Sequence, residues 1–172
     1  MPDRFLQRLN QISTVIFDVD GVLTDNTIFV GQDGVEFKRF NIADGLGIHM
    51  AQKQGIRIAW LSGRKSPATT SRAKELGIED IYQDSPKKLD NYNALKSRYN
   101  ITDEQILYVG NDLIDLPIMK ICGIAVAVPD SPKAVLKAAH FITQNRGGFG
   151  VAREILDMIL DARGIDEEKR LA

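Results

Sequence analysis

The sequence predicts an α/β protein: a doubly wound parallel sheet with a β-hairpin inserted after its first strand. Three observations predict it. Apolar runs at 13–18, 56–61, 105–109 and 124–128 alternate with stretches of helical spacing, the pattern of successive βα units on a parallel sheet. The centre of the first run, Val15-Ile16-Phe17, is apolar on both faces, as a strand covered on both sides must be. Where the first crossover helix belongs, two β-rich runs instead flank Gly31-Gln32-Asp33-Gly34, which is hairpin chemistry.

The elements follow in order. Phe5, Leu6 and Leu9 share one side of a short amphipathic helix over 3–11. The first strand is 13–18. The hairpin insertion, about 26–40, sets 27–30 against 35–40. Phe29 and Phe37 give it an apolar face that calls for a cover, and a second subunit meets that need. Asp44 is expected to cap a helix that runs to Gln54 and stops at Gly55. The second strand is 56–61. Ser66-Pro67 opens a helix to Leu76, followed by Gly77. The third strand is 78–82. Asp84-Ser85-Pro86 starts the next helix, with Leu89, Tyr92, Leu95 and Tyr99 toward the core. The fourth strand, 105–109, leads to a helix ending near Ile121. The fifth, 124–128, ends at Pro129, before a short helix over 132–138 and a last short strand over 141–143. Gly147-Gly148-Phe149-Gly150 reads as a flexible loop. The closing helix, 151–162, turns Ile155, Leu156, Ile159 and Leu160 inward. The charge-rich tail, about 163–172, is expected to fray.

Bulk properties narrow the function. A length of 172 residues fits one domain, and 44% hydrophobic content supplies a sizeable core. A net charge of -1 leaves no electrostatic footprint for nucleic acid or an anionic membrane. No run approaches the ~20 apolar residues of a membrane span, and no apolar segment follows the charged amino end as in a secretory signal. The single cysteine, Cys122, cannot form an internal disulfide and reads as a small core residue in a reducing cytoplasm.

Chemistry gathers at the strand ends, where ligands of open α/β sheets bind. The first strand runs into Asp18-Val19-Asp20-Gly21. Strand residues i and i+2 share a face, so the two carboxylates start out co-directional. They repel unless a cation sits between them. This stretch alone leaves two readings: an acidic turn, or a site for a divalent metal with hard oxygen ligands, Mg²⁺ being the usual one. Company decides between them. Ser62 and Arg64 follow the second strand, Lys87 and Lys88 the third, and Asn111, Asp112 and Asp115 the fourth. Each alone is an ordinary turn or a solvated helix start. Together they form a carboxylate floor ringed by donors and cations, which suits phosphoryl transfer. One aspartate can then be the nucleophile, forming an aspartyl phosphate, and the other can move protons.

Over nearly the whole chain these motifs resemble the haloacid dehalogenase phosphatase superfamily. Asp18-Val19-Asp20-Gly21-Val22-Leu23-Thr24-Asp25 matches its first motif and Leu61-Ser62-Gly63-Arg64 its second. Lys88 matches its third, and Gly110-Asn111-Asp112-Leu113-Ile114-Asp115 its fourth. The resemblance implies a Rossmann-like core with Asp18 as nucleophile. Asp20 is then the general acid and base, and its backbone carbonyl is a Mg²⁺ ligand. Ser62 and Lys88 bind phosphate.

The hairpin in place of a cap domain and the segments 40–48 and 146–154 resemble the small capless branch that includes the 3-deoxy-D-manno-octulosonate 8-phosphate phosphatases. That branch implies one phosphatase domain over 1–172, acting on a phosphorylated keto-deoxy sugar acid in the cytoplasm, in lipopolysaccharide biosynthesis. It also implies a homotetramer joined through the hairpins. Its substrate pocket would draw Asn41, Ile42, Ala43, Asp44, Gly45 and His49 from one segment. Gly63, Arg64 and Arg72 would come from another, beside Asp20, Ser62 and Lys88. Gly148 and Arg153 of a neighbouring subunit would reach the same pocket. Arg64 matches the octulosonate enzymes, where relatives acting on the nine-carbon acid carry glutamate, and arginine can grip a carboxylate bidentately. Two positions depart from the pattern. Asn111 stands where the superfamily has a metal-binding aspartate, so Asn111 and Asp112 are both candidate ligands beside Asp18 and Asp20. Ala43 stands where the octulosonate enzymes have arginine. The alternatives are the same chemistry on another sugar phosphate, such as the nine-carbon acid 9-phosphate, and a non-catalytic assembly domain.

Overall fold

The structure, a computed structural model, describes residues 3–84 and 87–171. Helix α1 (Asp3–Gln11) leads into β1 (Thr14–Phe17). The hairpin, β2 (Phe29–Val30) and β3 (Glu36–Phe37), pairs antiparallel as a separate ribbon. Then come α2 (Ile42–Lys53), β4 (Arg57–Leu61), α3 (Pro67–Glu75), β5 (Asp80–Tyr82) and α4 (Lys88–Tyr99). The second half is β6 (Ile106–Gly110), α5 (Leu116–Met119), β7 (Ile124–Ala127), α6 (Lys133–Ala138), β8 (Phe141–Ile142) and α7 (Val151–Ala162). The main sheet has the order β5-β4-β1-β6-β7-β8 with every pair parallel. The chain winds outward from β1 to β5, then returns past β1 to start the other half at β6. The expected doubly wound sheet is therefore present, and β1 and β6 flank its switch point.

Strand alternation divides the core in two. Val15, Phe17, Leu107, Val109, Ile124 and Val126 point to the side covered by α1, α2 and α7. Ile16, Ile106, Tyr108, Ala125 and Ala127 point to the side covered by α4, α5 and α6. Ile155, Leu156, Ile159 and Leu160 of α7 are fully buried, as their spacing predicts. Each such aliphatic side chain contributes roughly 1.5–3 kcal/mol on leaving water.

Several local expectations are corrected. The hairpin strands are two residues each, because the Thr27 N–H turns back to Asp25 Oδ1 at 3.3 Å instead of extending the ladder. The cap of α2 is Asn41, whose Oδ1 accepts the Ala43 N–H at 2.8 Å; Asp44 lies inside the helix. The 147–150 loop is packed, with the Gly148 N–H donating to the Val22 carbonyl at 2.9 Å. The tail does not fray at Arg170, which is 2% exposed. Its guanidinium pairs with Asp157 at 2.8 Å and with Asp161. High charge content concealed this internal ion pair. The expected helix start at Ser85-Pro86 lies outside the described residues; α4 begins at Lys88. Among the described residues no helix is long and apolar enough to cross a membrane.

Asp44 has a structural task. It is 4% exposed and accepts the Arg153 N–H at 2.8 Å. The residue before α7 is Gly150, left-handed at φ 99° and without a side chain to cap the helix. Asp44, from another helix, satisfies a first-turn donor that would otherwise be orphaned. Burial pushes its carboxyl from 3.8 up to about 6, against the pull of the α7 backbone N–H groups. The folded chain thus holds this proton more tightly than the unfolded chain. The associated stability is full below about pH 4 and is lost as pH rises through about 6. Asp44→Asn keeps an acceptor without the charge. Urea unfolding between about pH 4 and pH 7 should show a shallower decline for the variant, by on the order of 2 kcal/mol. Parallel profiles for the two proteins would refute this assignment.

Candidate active site

The polar continuations of β1 and β6 meet at the switch point. The Asp18 N–H donates to the Val109 carbonyl at 2.9 Å, so the ladder extends one residue past β1 and delivers a carboxylate that is 4% exposed. Val19 to Leu23 then form one wide turn, closed by the Thr24 N–H on the Val19 carbonyl at 3.1 Å. Gly21 has φ 92°, and a Cβ there would overlap the Asn111 amide. Backbone and space both require glycine.

Asp115, fully buried, organises the β6 side. Its Oδ1 accepts from Lys88 Nζ at 2.8 Å and from the Tyr108 hydroxyl at 2.6 Å. Its Oδ2 accepts the backbone N–H groups of Asn111 at 2.9 Å and Asp112 at 3.0 Å. This carboxylate therefore sets the path of the loop after β6. It sits so close that a Cβ on Gly110 would lie 2.6 Å from its own. Lys88, at the start of α4, is 1% exposed and also reaches Asp18 Oδ1 at 2.6 Å. Burial pushes the Asp18 carboxyl up to about 7, with Lys88 pulling it down and Asp115 adding to the rise. Burial works to lower the Lys88 ammonium, but Asp18 and Asp115 outweigh it and the net direction is up.

The other oxygen of Asp18 faces Asn111. One branch of the Asn111 amide lies 2.8 Å from Asp18 Oδ2 and 3.1 Å from the Asp20 carbonyl. With the amide nitrogen there, it donates to both oxygens. With the amide oxygen there, three oxygens face one another, an arrangement that a cation between them stabilises. One carboxylate, one carbonyl and one amide oxygen are hard donors that fit Mg²⁺. Asp112 Oδ1 instead accepts the Leu113 N–H at 2.6 Å, placing Asp112 at the rim. Among the described residues no cluster of three or more His, Cys, Asp or Glu could hold a metal; this donor set contains only one such side chain.

The hairpin contributes two residues that sequence reasoning passed over. Lys38, its side chain fully buried, donates to Asp20 Oδ1 at 2.5 Å and to Thr69 Oγ1 at 3.2 Å. Glu36 accepts from Ser66 Oγ at 2.7 Å and pairs with Arg64. The signal was available as an alternation: Glu36 and Lys38 face inward while Phe37, between them, is 59% exposed.

A cavity of about 350 Å³ opens over Asp18 and Asp20. Gly63 and Arg64 form one wall, with Asn111, Asp112 and Ile114 opposite and Asn26 beside them. Ser62, 1% exposed, is adjacent; its hydroxyl donates to the Arg64 carbonyl at 2.9 Å and closes that turn. The rest of the expected pocket is not assembled here. Asn41 caps α2, while Ile42, Ala43 and His49 lie on exposed positions of that helix. Asp44 is turned to α7, as described above. Gly45 packs against Arg72, which pairs with Glu75 at 2.8 Å. None of these lines the cavity. Gly148 and Arg153 make their contacts within their own chain, at Val22 for the first and at Asp44 and Asp157 for the second. Lys87 is exposed. Burial pushes the Cys122 thiol up to about 12, as expected of an inert core residue. A larger hollow, about 540 Å³, lies between Leu6, Phe141 and Met158 at the far edge of the sheet. Its acidic groups are already paired, Glu154 with backbone N–H groups and Asp157 with two arginines.

The chain is similar to known proteins over most of its length. A family model described as haloacid dehalogenase-like hydrolase matches residues 78–155. The 3-deoxy-D-manno-octulosonate 8-phosphate phosphatase KdsC of Yersinia pestis is 40% identical over 161 residues, covering 94% of this chain and 86% of that protein. The crystal structure of the Yersinia pestis phosphatase superposes with a TM-score of 0.92, covering 95% of this chain and 88% of that one. The Moraxella catarrhalis phosphatase, crystallised with magnesium, phosphate and KDO, is 34% identical with a TM-score of 0.93, covering 96% of each chain. The cobalt-bound Haemophilus influenzae phosphatase is 40% identical with a TM-score of 0.88, covering 92% of each.

Asp115→Asn tests the buried hub. It withdraws one of two carboxylates from a lysine that has no access to water. Urea unfolding should show a loss of about 3 kcal/mol. A change under about 1 kcal/mol would mean that Lys88 does not depend on Asp115.

Proposed function

The chain belongs to the haloacid dehalogenase-like hydrolases, and we propose that it hydrolyses 3-deoxy-D-manno-octulosonate 8-phosphate to the free sugar acid and phosphate through an aspartyl phosphate. The observation that carries this reading is Asp18: a carboxylate 4% exposed at the β1–β6 switch point, with Lys88 on one oxygen and the Asn111 amide on the other. An acidic turn would leave such a group in water. Identity of 40% over 94% of the chain to the Yersinia pestis octulosonate phosphatase supports the substrate.

Asp18 attacks phosphorus, and the bond to the sugar oxygen breaks. Asp20, two residues on, gives its proton to that departing oxygen. It then takes a proton from the water that cleaves the acyl phosphate, returning Asp18 to a carboxylate. Lys88 holds Asp18 in place and opposes the charge of an incoming phosphate. The Asp18 carboxylate, the Asp20 carbonyl and Asn111 would hold Mg²⁺, with Asp112 at the rim. Bound there, the ion supplies positive charge against the phosphoryl oxygens. Arg64 would meet the sugar-acid carboxylate; its position on the cavity wall supports that role, and its guanidinium pairs with Glu36 in this structure. Ala43 is on an exposed position of α2, so the missing arginine does not alter the cavity within this chain.

The working form is a cytoplasmic homotetramer acting in lipopolysaccharide biosynthesis. Phe29 is 62% and Phe37 59% exposed on the hairpin, an apolar pair that association would cover.

A phosphate-release assay on the 8-phosphate and the nine-carbon 9-phosphate tests the reading. Turnover should favour the 8-phosphate, vanish with chelator and return with Mg²⁺. Asp18→Asn should lower it by on the order of 10³-fold or more. Near-wild-type, Mg²⁺-dependent turnover by Asp18→Asn would exclude Asp18 as the nucleophile.

A further inference from the structure

Lys38 has no part in the scheme above, yet it touches one of the scheme's two aspartates. Its side chain is fully buried, and its ammonium lies 2.5 Å from Asp20 Oδ1. Thr69 Oγ1 accepts from the same nitrogen at 3.2 Å, and Glu36 stands 3.8 Å away. Thr69 lies in the first turn of α3 and is itself fully buried. Lys38 is therefore clamped from the α3 side and cannot swing away without leaving a buried charge unpaired. The Asp20 carboxylate is divided by this contact. Oδ1 belongs to Lys38, while Oδ2 is buried with no hydrogen-bond partner.

We propose that Lys38 is the positioning residue for proton transfer. By holding Oδ1 it fixes the rotamer from which Asp20 delivers the proton and takes it back. This rests on the phosphatase reading. In the first step Asp18 forms its bond to phosphorus, the phosphorus–sugar-oxygen bond breaks, and the Asp20 proton passes to that oxygen. In the second, water forms the new bond to phosphorus, its proton passes to the Asp20 carboxylate, and the acyl phosphate bond to Asp18 breaks. Lys38 exchanges no proton in either step. A carboxylate free to rotate would leave the near-attack geometry that proton transfer requires.

The inference gives the hairpin a chemical task. Glu36, in β3, and Lys38, just past its end, turn to the same side, 3.8 Å from each other. Glu36 goes to Arg64 and Ser66, and Lys38 to Asp20. The hairpin carries the support for the general acid just as a cap would carry substrate contacts.

The test exploits the leaving group. A sugar alkoxide needs a proton as it departs; 4-nitrophenolate does not. Lys38→Met removes the ammonium and keeps most of the side-chain volume. The comparison is made on kcat/KM, which ends at formation of the aspartyl phosphate and leaves out the hydrolysis step that both esters share. On the octulosonate 8-phosphate kcat/KM should fall by roughly 10²-fold, within the usual worth of a positioned general acid. On 4-nitrophenyl phosphate it should fall less than about threefold, which also reports that the variant is folded. Lys38→Arg keeps a cationic donor and should restore most of the sugar-phosphate kcat/KM, leaving the ratio of the two values near that of wild type. An equal loss of kcat/KM on both esters in both variants would make Lys38 merely structural and overturn the proposal. So would a methionine variant with full activity on the sugar phosphate. Failure of the phosphatase reading itself is distinguishable, because wild type would then hydrolyse neither ester in an Asp18-dependent way.

Discussion

A lysine taken out of water must be paired, and Lys88 is paired twice, to Asp18 at 2.6 Å and Asp115 at 2.8 Å. Those carboxylates come from the ends of neighbouring strands, so one ammonium ties the two halves of the doubly wound sheet together at their switch point. The remaining lone pairs of Asp115 hold the Tyr108 hydroxyl and the backbone of the loop after β6. That loop in turn sets Asn111 against Asp18. Removing any member leaves a buried charge without its partner, a cost of several kcal/mol. With the transferable proton on Asp20, the floor sets two carboxylates, Asp18 and Asp115, against two ammoniums, Lys38 and Lys88. A divalent cation then makes it positive, to receive an anionic ester.

The hairpin joins surface and chemistry through the two-residue period of a strand. Phe29 stands directly opposite Phe37 on the outer face, while Glu36 and Lys38 reach the network around Arg64, Ser66 and Asp20. A slip of one residue would send the charges outward and the phenylalanine into the site. Whatever covers the outer face therefore also steadies the register that delivers Lys38. This is how a protein without a separate cap can still position groups above its nucleophile.

Much of this was legible beforehand because it is local. The sheet strands announce themselves as apolar runs, and Asp18-Val19-Asp20-Gly21 announces a strand that ends in chemistry. The α7 core residues follow from helical spacing alone. What was missed depends on contacts between distant segments. Asp44 reads as a cap because of its position, but Asn41 three residues earlier takes that role, and Asp44 caps a helix more than a hundred residues away. Glu36 sits in a two-residue strand and Lys38 just past its end, and although the alternation around Phe37 was there to read, what each side chain reaches depends on α3 and on the turn after β1. The Asn111-Asp112-Asp115 cluster was visible as a group. Which member faces the metal position, which faces solvent and which is buried follows only from the loop path that Asp115 imposes. The charged tail misled for a related reason: composition does not show that Arg170 has Asp157 and Asp161 waiting for it.

The account stands on Asp18 becoming phosphorylated during turnover, and a trapping measurement addresses that directly. The Mg²⁺-loaded enzyme is quenched while hydrolysing the octulosonate 8-phosphate, reduced with borohydride, digested and sequenced by mass spectrometry. Reduction converts an aspartyl phosphate to homoserine, and the account predicts that residue at position 18 and at no other aspartate. Homoserine at position 20, or steady turnover with none at position 18, would contradict it.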